Sequence, residues 1–211
     1  MFTGIVQGKA KVTRLLKKDE FASMTLEFPE NGTEGLEIGA SVAINGCCLT
    51  ATEISGNSAN FDMIASTLRL TNLGELNEGS LCNFERAARF NAEIGGHQTS
   101  GHIHGCAVIT ARVDTADNCK ITFEVPAEFR KYIMDKGYIG LNGCSLTIAE
   151  VTPVGFSVYL IPETLAVTTF GEAKVNDRIN LEIDPSTQTI VDTVERYIAN
   201  HPALAMTLNH S

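Results

Sequence analysis

The chain has no stretch approaching the roughly 20 apolar residues that a membrane-spanning helix needs. It also lacks basic clusters. Sixteen Lys and Arg face 25 Asp and Glu, leaving a net charge of −9, which argues against nucleic acid or anionic lipid as a partner. No Cys-x-x-Cys pair occurs among Cys47, Cys48, Cys82, Cys106, Cys119 and Cys144, so neither a zinc site nor a thioredoxin-type site is expected. His97, His102 and His104 lie close together, yet no cysteine or carboxylate spacing completes a familiar metal site, and no metal is expected. Met1 to Val6 carry no positive n-region and no apolar run, so no signal peptide is expected. A cytoplasmic protein with reduced thiols follows as the expectation. Apolar residues at 44% against 19% charged exclude disorder as a description of the whole chain.

What is present is a repeat. Ile44-Asn45-Gly46-Cys47-Cys48-Leu49-Thr50 matches Leu141-Asn142-Gly143-Cys144-Ser145-Leu146-Thr147 at an offset of 97. The same offset aligns Thr67-Leu68 with Thr164-Leu165, Asn83 with Asn180, and Glu85 with Glu182. Residues 40–85 and 137–182 share 14 identities in 46 ungapped positions, and Gly4 and Gly8 find Gly101 and Gly105. The plan is therefore two related units, residues 1–97 and 98–185, and a distinct tail, 186–211.

Each unit reads as β. Arg178 to Asp184 alternates strictly, as a half-buried strand does. Phe156, Val158 and Leu160 alternate with polar neighbours, as do Ile121, Phe123 and Val125. Ser41 to Ile44 and Cys47 to Ile54 flank a tight Asn45-Gly46 turn, repeated at Asn142-Gly143. Adjacent Cys47 and Cys48 then point to opposite faces. Many short strands with turn signals suggest a barrel or sandwich in each half. Pro126 to Met134 reads as a short helix with Phe129, Tyr132 and Ile133 on one face. In the tail, Ile190, Val191, Val194, Tyr197 and Ile198 fall at helical spacing, and Pro202 stops the helix. That apolar stripe either associates with another copy or packs on its own domain.

Five motifs in order carry a resemblance: Met1-Phe2-Thr3-Gly4-Ile5-Val6, Asn45 to Thr50, Gly95-Gly96-His97-Gln98-Thr99-Ser100-Gly101-His102, Ser145-Leu146-Thr147, and Ile161-Pro162-Glu163-Thr164-Leu165. On a duplicated chain, they resemble the riboflavin synthase family of alpha-chain type over residues 1–200. The resemblance implies an all-β chain of two similar six-stranded Greek-key barrels plus a C-terminal α-helix. It implies dismutation of two 6,7-dimethyl-8-ribityllumazine molecules by transfer of a four-carbon unit. The products are riboflavin and 5-amino-6-ribitylamino-pyrimidinedione, and no metal or organic cofactor is needed. It further implies a homotrimer with the active site between the N-terminal barrel of one subunit and the C-terminal barrel of the next.

Residue by residue, the resemblance points to Gly4, Ile5 and Val6; Cys48, Leu49 and Thr50; Asp62, Met63, Ile64, Ala65, Ser66 and Thr67; and Gly101, His102 and Ile103 as substrate-binding. In the second half it points to Lys136; Ser145, Leu146 and Thr147; and Tyr159, Leu160, Ile161, Pro162, Glu163 and Thr164. Catalytic or positioning candidates are Cys48, His102, Ser145, Thr147, Lys136, Asp184, Phe2 and Ser41, whereas His97 and His104 read as structural. The family usually carries Glu-Thr-Leu in both halves; here the first half has Ser66-Thr67-Leu68.

Two identical substrates with unequal roles need two related pockets that differ. Matched positions show where: Cys48 with Ser145, Phe2 with Thr99, Ile5 with His102, Ser41 with Tyr138, Asp62 with Tyr159, and Ser66 with Glu163. The C7 methyl of the lumazine is acidic because its anion delocalises over the ring, so a positioned His or hydroxyl network can assist its removal. The partner ring takes a nucleophile at C7. The alternative is a non-catalytic lumazine- or flavin-binding paralogue, which would lack the polar set of Cys48, His102, Lys136, Ser145 and Thr147.

Overall fold

A computed structural model describes residues 1–201. In the first half, β1 (Gly8–Lys18), β2 (Phe21–Glu27), β3 (Ser41–Ile44), β4 (Cys47–Ser55), β5 (Ser58–Ile64) and β6 (Leu81–Arg86) form a closed barrel in the order β1-β2-β5-β4-β3-β6. Helix α1 (Ala65–Leu70) and a 3-10 turn (Asn72–Glu75) separate β5 from β6. The second half runs through β7 (Gly105–Asp114), β8 (Cys119–Glu124), β9 (Tyr138–Leu141), β10 (Cys144–Thr147), β11 (Glu150–Thr152) and β12 (Gly155–Leu160). Helix α2 (Pro162–Val167), β13 (Arg178–Ile183) and α3 (Pro185–Asn200) complete it.

The second ring repeats the first with one seam open. Its order is β10-β9-β13-β7-β8-β12-β11. At an offset of 97, β10 and β11 are the two ends of a strand equivalent to β4. The break falls at Ile148–Ala149, and the first half bends at the same place, where the β4–β5 register shifts between Ala51 and Glu53. The bend has the same bonds in both halves. Ala51 N donates to Ala40 O at 2.9 Å, and Ile148 N to Gly137 O at 2.9 Å. One bulge is thus carried as a kinked strand in one ring and as two short strands in the other.

Alternation fills each barrel lumen with side chains. Val12, Met24, Leu26, Val42, Leu49, Phe61, Met63 and Phe84 pack the first, and Ile109, Ile121, Phe123, Leu141, Phe156, Val158, Leu160 and Leu181 the second. The residues between them face outward, so any ligand must sit on an outer wall. Residues 127–132 form a short helix of 3-10 type, with Tyr132 and Ile133 buried and Phe129 partly buried against the second core. Helix α3 starts one residue earlier than the tail boundary. Asp184 caps it by accepting from Thr187 N at 2.9 Å, and Pro185 takes the first turn, where its missing N–H costs nothing. Pro202 lies outside the described residues.

The two barrels meet about a pseudo-twofold axis. Asn45 and Asn142 adopt left-handed backbone (φ 45° and 46°), as their Asn-Gly turns require, and Gly46 packs on Gly143. A side chain on Gly46 would sit 2.6 Å from Gly143 N. Around this point asparagines cross the interface in pairs. Asn180 Nδ2 donates to Asn45 O (2.8 Å) and Asn83 Nδ2 to Asn142 O (2.9 Å). Asn72 N donates to Asn180 Oδ1 and Thr169 N to Asn83 Oδ1, both at 2.7 Å. These buried amides satisfy four main-chain groups that would otherwise be stranded between the barrels.

Candidate functional site

The segment leading into each barrel docks on the other barrel. Phe2 and Thr99 exchange main-chain hydrogen bonds at 2.9 and 3.0 Å, one on each side of the pseudo-axis. Beyond that bridge the paths diverge. Ser145 N, on the second barrel, donates to Gly4 O at 2.7 Å, and Cys48 N, on the first, donates to Gly101 O at 2.9 Å. Val6 packs against the second core and Ile103 belongs to the first. A Cβ on Gly4 would meet Ser145 Cβ at 2.5 Å, and one on Gly101 would meet Cys48 Cβ at the same distance. Glycine with positive φ (74° and 82°) is what lets the crossing strands approach so closely.

Two constellations result. The first barrel presents Cys48, Thr50, Asp62 and Ile64 on its outer wall, with Ser41 opposite Thr50 in the β3–β4 register. Ala65, Ser66 and Thr67 open α1 at its edge. Gly101 and the exposed His102 arrive from the second half. The second barrel presents Ser145, Thr147, Tyr159 and Ile161, with Tyr138 opposite Thr147. Pro162, Glu163 and Thr164 open α2, and Gly4 and Ile5 arrive from the first half. Lys136 holds a left-handed backbone (φ 60°) beside this wall, its Nζ 3.4 Å from Ala149 O. Leu49, Met63 and Leu160 are buried in the cores, and Leu146 and Val6 pack on the second, so these residues have only main chain to offer a ligand. Phe2 is buried at the bridge and Asp184 caps α3.

The constellations differ where sequence reasoning assigned a structural role. His97 Nδ1 lies 2.6 Å from Ser145 Oγ, and its ring stacks on Tyr138 with centroids 5.1 Å apart. Its Nε2 is buried with no hydrogen-bond partner among the described residues. Burial holds the imidazole below its ordinary value against the opposing charge of Asp184, so the ring is neutral at pH 7 and can take the Ser145 hydroxyl proton. On the other wall, no side chain among the described residues is hydrogen-bonded to the Cys48 thiol. Cys48 is the one cysteine of six that is not buried. Desolvation pushes Cys47, Cys82 and Cys144 up to about 12, which removes them as thiolate nucleophiles.

Two buried carboxylates were also missed, although the repeat had aligned them. Glu85 accepts from Thr3 N (2.7 Å), Thr3 Oγ1 (2.8 Å) and Gly4 N (3.0 Å). Glu182 accepts from Ser100 N (2.6 Å), Ser100 Oγ (2.8 Å) and Gly101 N (3.1 Å). Desolvation pushes the Glu85 carboxyl above its ordinary value, and the donors of Thr3 and Gly4 oppose it. The signal was a carboxylate, identical in both halves, on the outward side of a strand and next to a core residue, Phe84 or Leu181.

Among the described residues no group of three or more His, Cys, Asp or Glu could hold a metal ion, and no helix is long and apolar enough to cross a membrane.

Comparison with known proteins agrees with this geometry. The family model of the lumazine binding domain matches twice, at residues 3–87 and 100–184. Riboflavin synthase of Escherichia coli (strain K12) is 53% identical over 200 residues, 94% of each chain. Riboflavin synthase of Buchnera aphidicola subsp. Baizongia pistaciae is 39% identical over 204 residues, 96% of each chain. Crystal structures of LumP complexed with riboflavin and with 6,7-dimethyl-8-(1'-D-ribityl) lumazine superpose with TM-scores of 0.82 and 0.80. Their identities are 28% and 27%, and each match covers 87% of this chain and 99% of LumP. With two copies of the lumazine binding domain and near full-length identity of this order, the chain belongs to the riboflavin synthase family.

Proposed function

We propose that the protein dismutates two molecules of 6,7-dimethyl-8-ribityllumazine to riboflavin and 5-amino-6-ribitylamino-pyrimidinedione, one molecule giving a four-carbon unit to the other. The observation that carries this reading is the pair of outward pockets built by exchanged segments, Gly4 on Ser145 and Gly101 on Cys48. Each pocket takes one lumazine. The ribityl chain lies toward Ser66 and Thr67 in one and toward Glu163 and Thr164 in the other. Ser66 offers a hydroxyl where Glu163 offers a carboxylate.

The chain's own groups suit the chemistry. Neutral His97, through Ser145, holds a proton acceptor at the second wall for the C7 methyl. Cys48, Thr50 and the exposed His102 furnish polar contacts at the first, with Ser41 beside them. Lys136 and Thr147 border the second ring, Phe2 ties the two lead segments together, and Asp184 places its charge near His97. Holding two rings in register supplies much of the rate, since orientation contributes roughly 7–11 kcal/mol in favourable cases.

Both pockets lie on outer walls, so a facing surface is needed to exclude water and bring the rings together. A homotrimer supplies it, with the first barrel of one copy against the second barrel of the next. Ile190, Val194 and Tyr197 remain exposed on one side of α3 and are the contact that joins the copies. Six free cysteines suit a cytoplasmic protein.

Incubating the purified protein with 6,7-dimethyl-8-ribityllumazine and following flavin absorbance tests the activity. Riboflavin formation supports it. Tight binding with no riboflavin supports the second reading, a non-catalytic binder, which the likeness to LumP with bound riboflavin favours.

A further inference from the structure

The fold separates the residue that holds each lead segment from the pocket that segment completes. Glu85 lies on β6 of the first barrel and grips Thr3 and Gly4, yet Gly4 O receives Ser145 N of the second barrel. Glu182 lies on β13 of the second barrel and grips Ser100 and Gly101, yet Gly101 O receives Cys48 N of the first. Both carboxylates are 3% exposed. We infer that Glu85 and Glu182 are positioning residues that act crosswise, Glu85 setting the geometry of the second-barrel pocket and Glu182 that of the first.

In Glu85, one oxygen accepts from Thr3 N and Thr3 Oγ1 and the other from Gly4 N. A carboxylate has acceptors on both oxygens, whereas a glutamine of the same shape has one oxygen and one NH2. Glu85→Gln therefore turns a donor against Thr3 N–H or Gly4 N–H and shifts the strand that lays Gly4 and Ile5 on Ser145. Charge-assisted bonds of this kind are the strong ones, so the lesion is local and large. Glu182→Gln does the same to Gly101 and His102 over Cys48. Lumazine or flavin ligands are the readout because the inference rests on the proposed reaction. The main-chain bonds give a second readout that does not.

The experiment uses the full chain. Amide hydrogen exchange follows Ser145 N–H and Cys48 N–H, and NMR of ring-labelled riboflavin follows the ligand in each pocket, with Thr147→Val and Thr50→Val assigning the two bound signals. Glu85→Gln should speed exchange at Ser145 and weaken the second-barrel signal roughly tenfold, with Cys48 exchange and the first-barrel signal changed less than about twofold. Glu182→Gln should show the reverse. Thr3→Val and Ser100→Ala, which leave the carboxylates in place, should give the same crosswise pattern more weakly and serve if a glutamine variant does not fold. Lesions that fall on the barrel carrying the mutated Glu, or on both pockets equally, overturn the inference. A wild-type chain that binds no riboflavin overturns the proposed reaction, and the exchange pattern then decides the crosswise claim alone.

Discussion

Replacing Asn180 by alanine should loosen the weld between the barrels more than any surface change. Asn180 is fully buried, and its amide makes two bonds across the interface, to Asn45 O at 2.8 Å and from Asn72 N at 2.7 Å. Alanine leaves one carbonyl and one N–H buried without partners. Each stranded group costs about 1–3 kcal/mol, so the loss should be about 2–6 kcal/mol. That is a large part of the roughly 5–15 kcal/mol by which a domain is stable. Asn83→Ala, its repeat partner, strands Asn142 O and Thr169 N and should cost a similar amount. The exposed Lys9–Glu172 pair also spans the barrels, yet Lys9→Ala should cost under about 1 kcal/mol because solvent screens it. Urea unfolding of the three variants against wild type makes the comparison. A loss under about 1 kcal/mol for Asn180→Ala, or one no larger than for Lys9→Ala, would refute the claim that these amides hold the interface.

Cys48→Ala should cut turnover at least tenfold in steady-state assays while shifting the thermal midpoint little; equal losses in rate and stability would argue for a packing role. Gly46→Ala, whose Cβ would press 2.6 Å from Gly143 N, should destabilise well beyond Gly56→Ala, where φ is also positive but nothing lies within 4 Å and only about 1–2 kcal/mol of backbone strain applies; equal costs would contradict the close approach. Burial lowers the His97 pKa in the fold, so its neutral form contributes stability fully present above pH 6.5 and lost as pH falls through the folded value. The stability advantage of wild type over His97→Phe should shrink as pH drops below 6.5, and a constant advantage would show the ring is not desolvated. Val194→Asp on α3 should lower the oligomer mass in sedimentation; an unchanged mass would place the contact elsewhere.

The repeat and the period-2 alternation made two β units legible, and Asn45-Gly46 and Asn142-Gly143 were read correctly as turns because their chemistry is local. The outward set, Cys48, Thr50, Ser145 and Thr147, came from resemblance. The structure turns the side chains of Leu49, Met63 and Leu160 into the cores, leaving main chain for any ligand. The exchange of lead segments was not legible. Gly4 bonds to Ser145 and Gly101 to Cys48 over long sequence separations, and nothing local marks which barrel Val6 and Ile103 pack on. His97 was read as structural; its bond to Ser145 exists only once the strands are placed. Pro126 to Met134 was read as a short helix, and residues 127–132 form one, of 3-10 type.

The dismutation requires two heterocycles held against each other. A complex with a non-reactive lumazine analogue should show two stacked rings at a contact between copies. One should lie against Cys48, Thr50 and Asp62, and the other against Ser145, Thr147 and Tyr159. A single ring per contact, or rings remote from both Cys48 and Ser145, would contradict it.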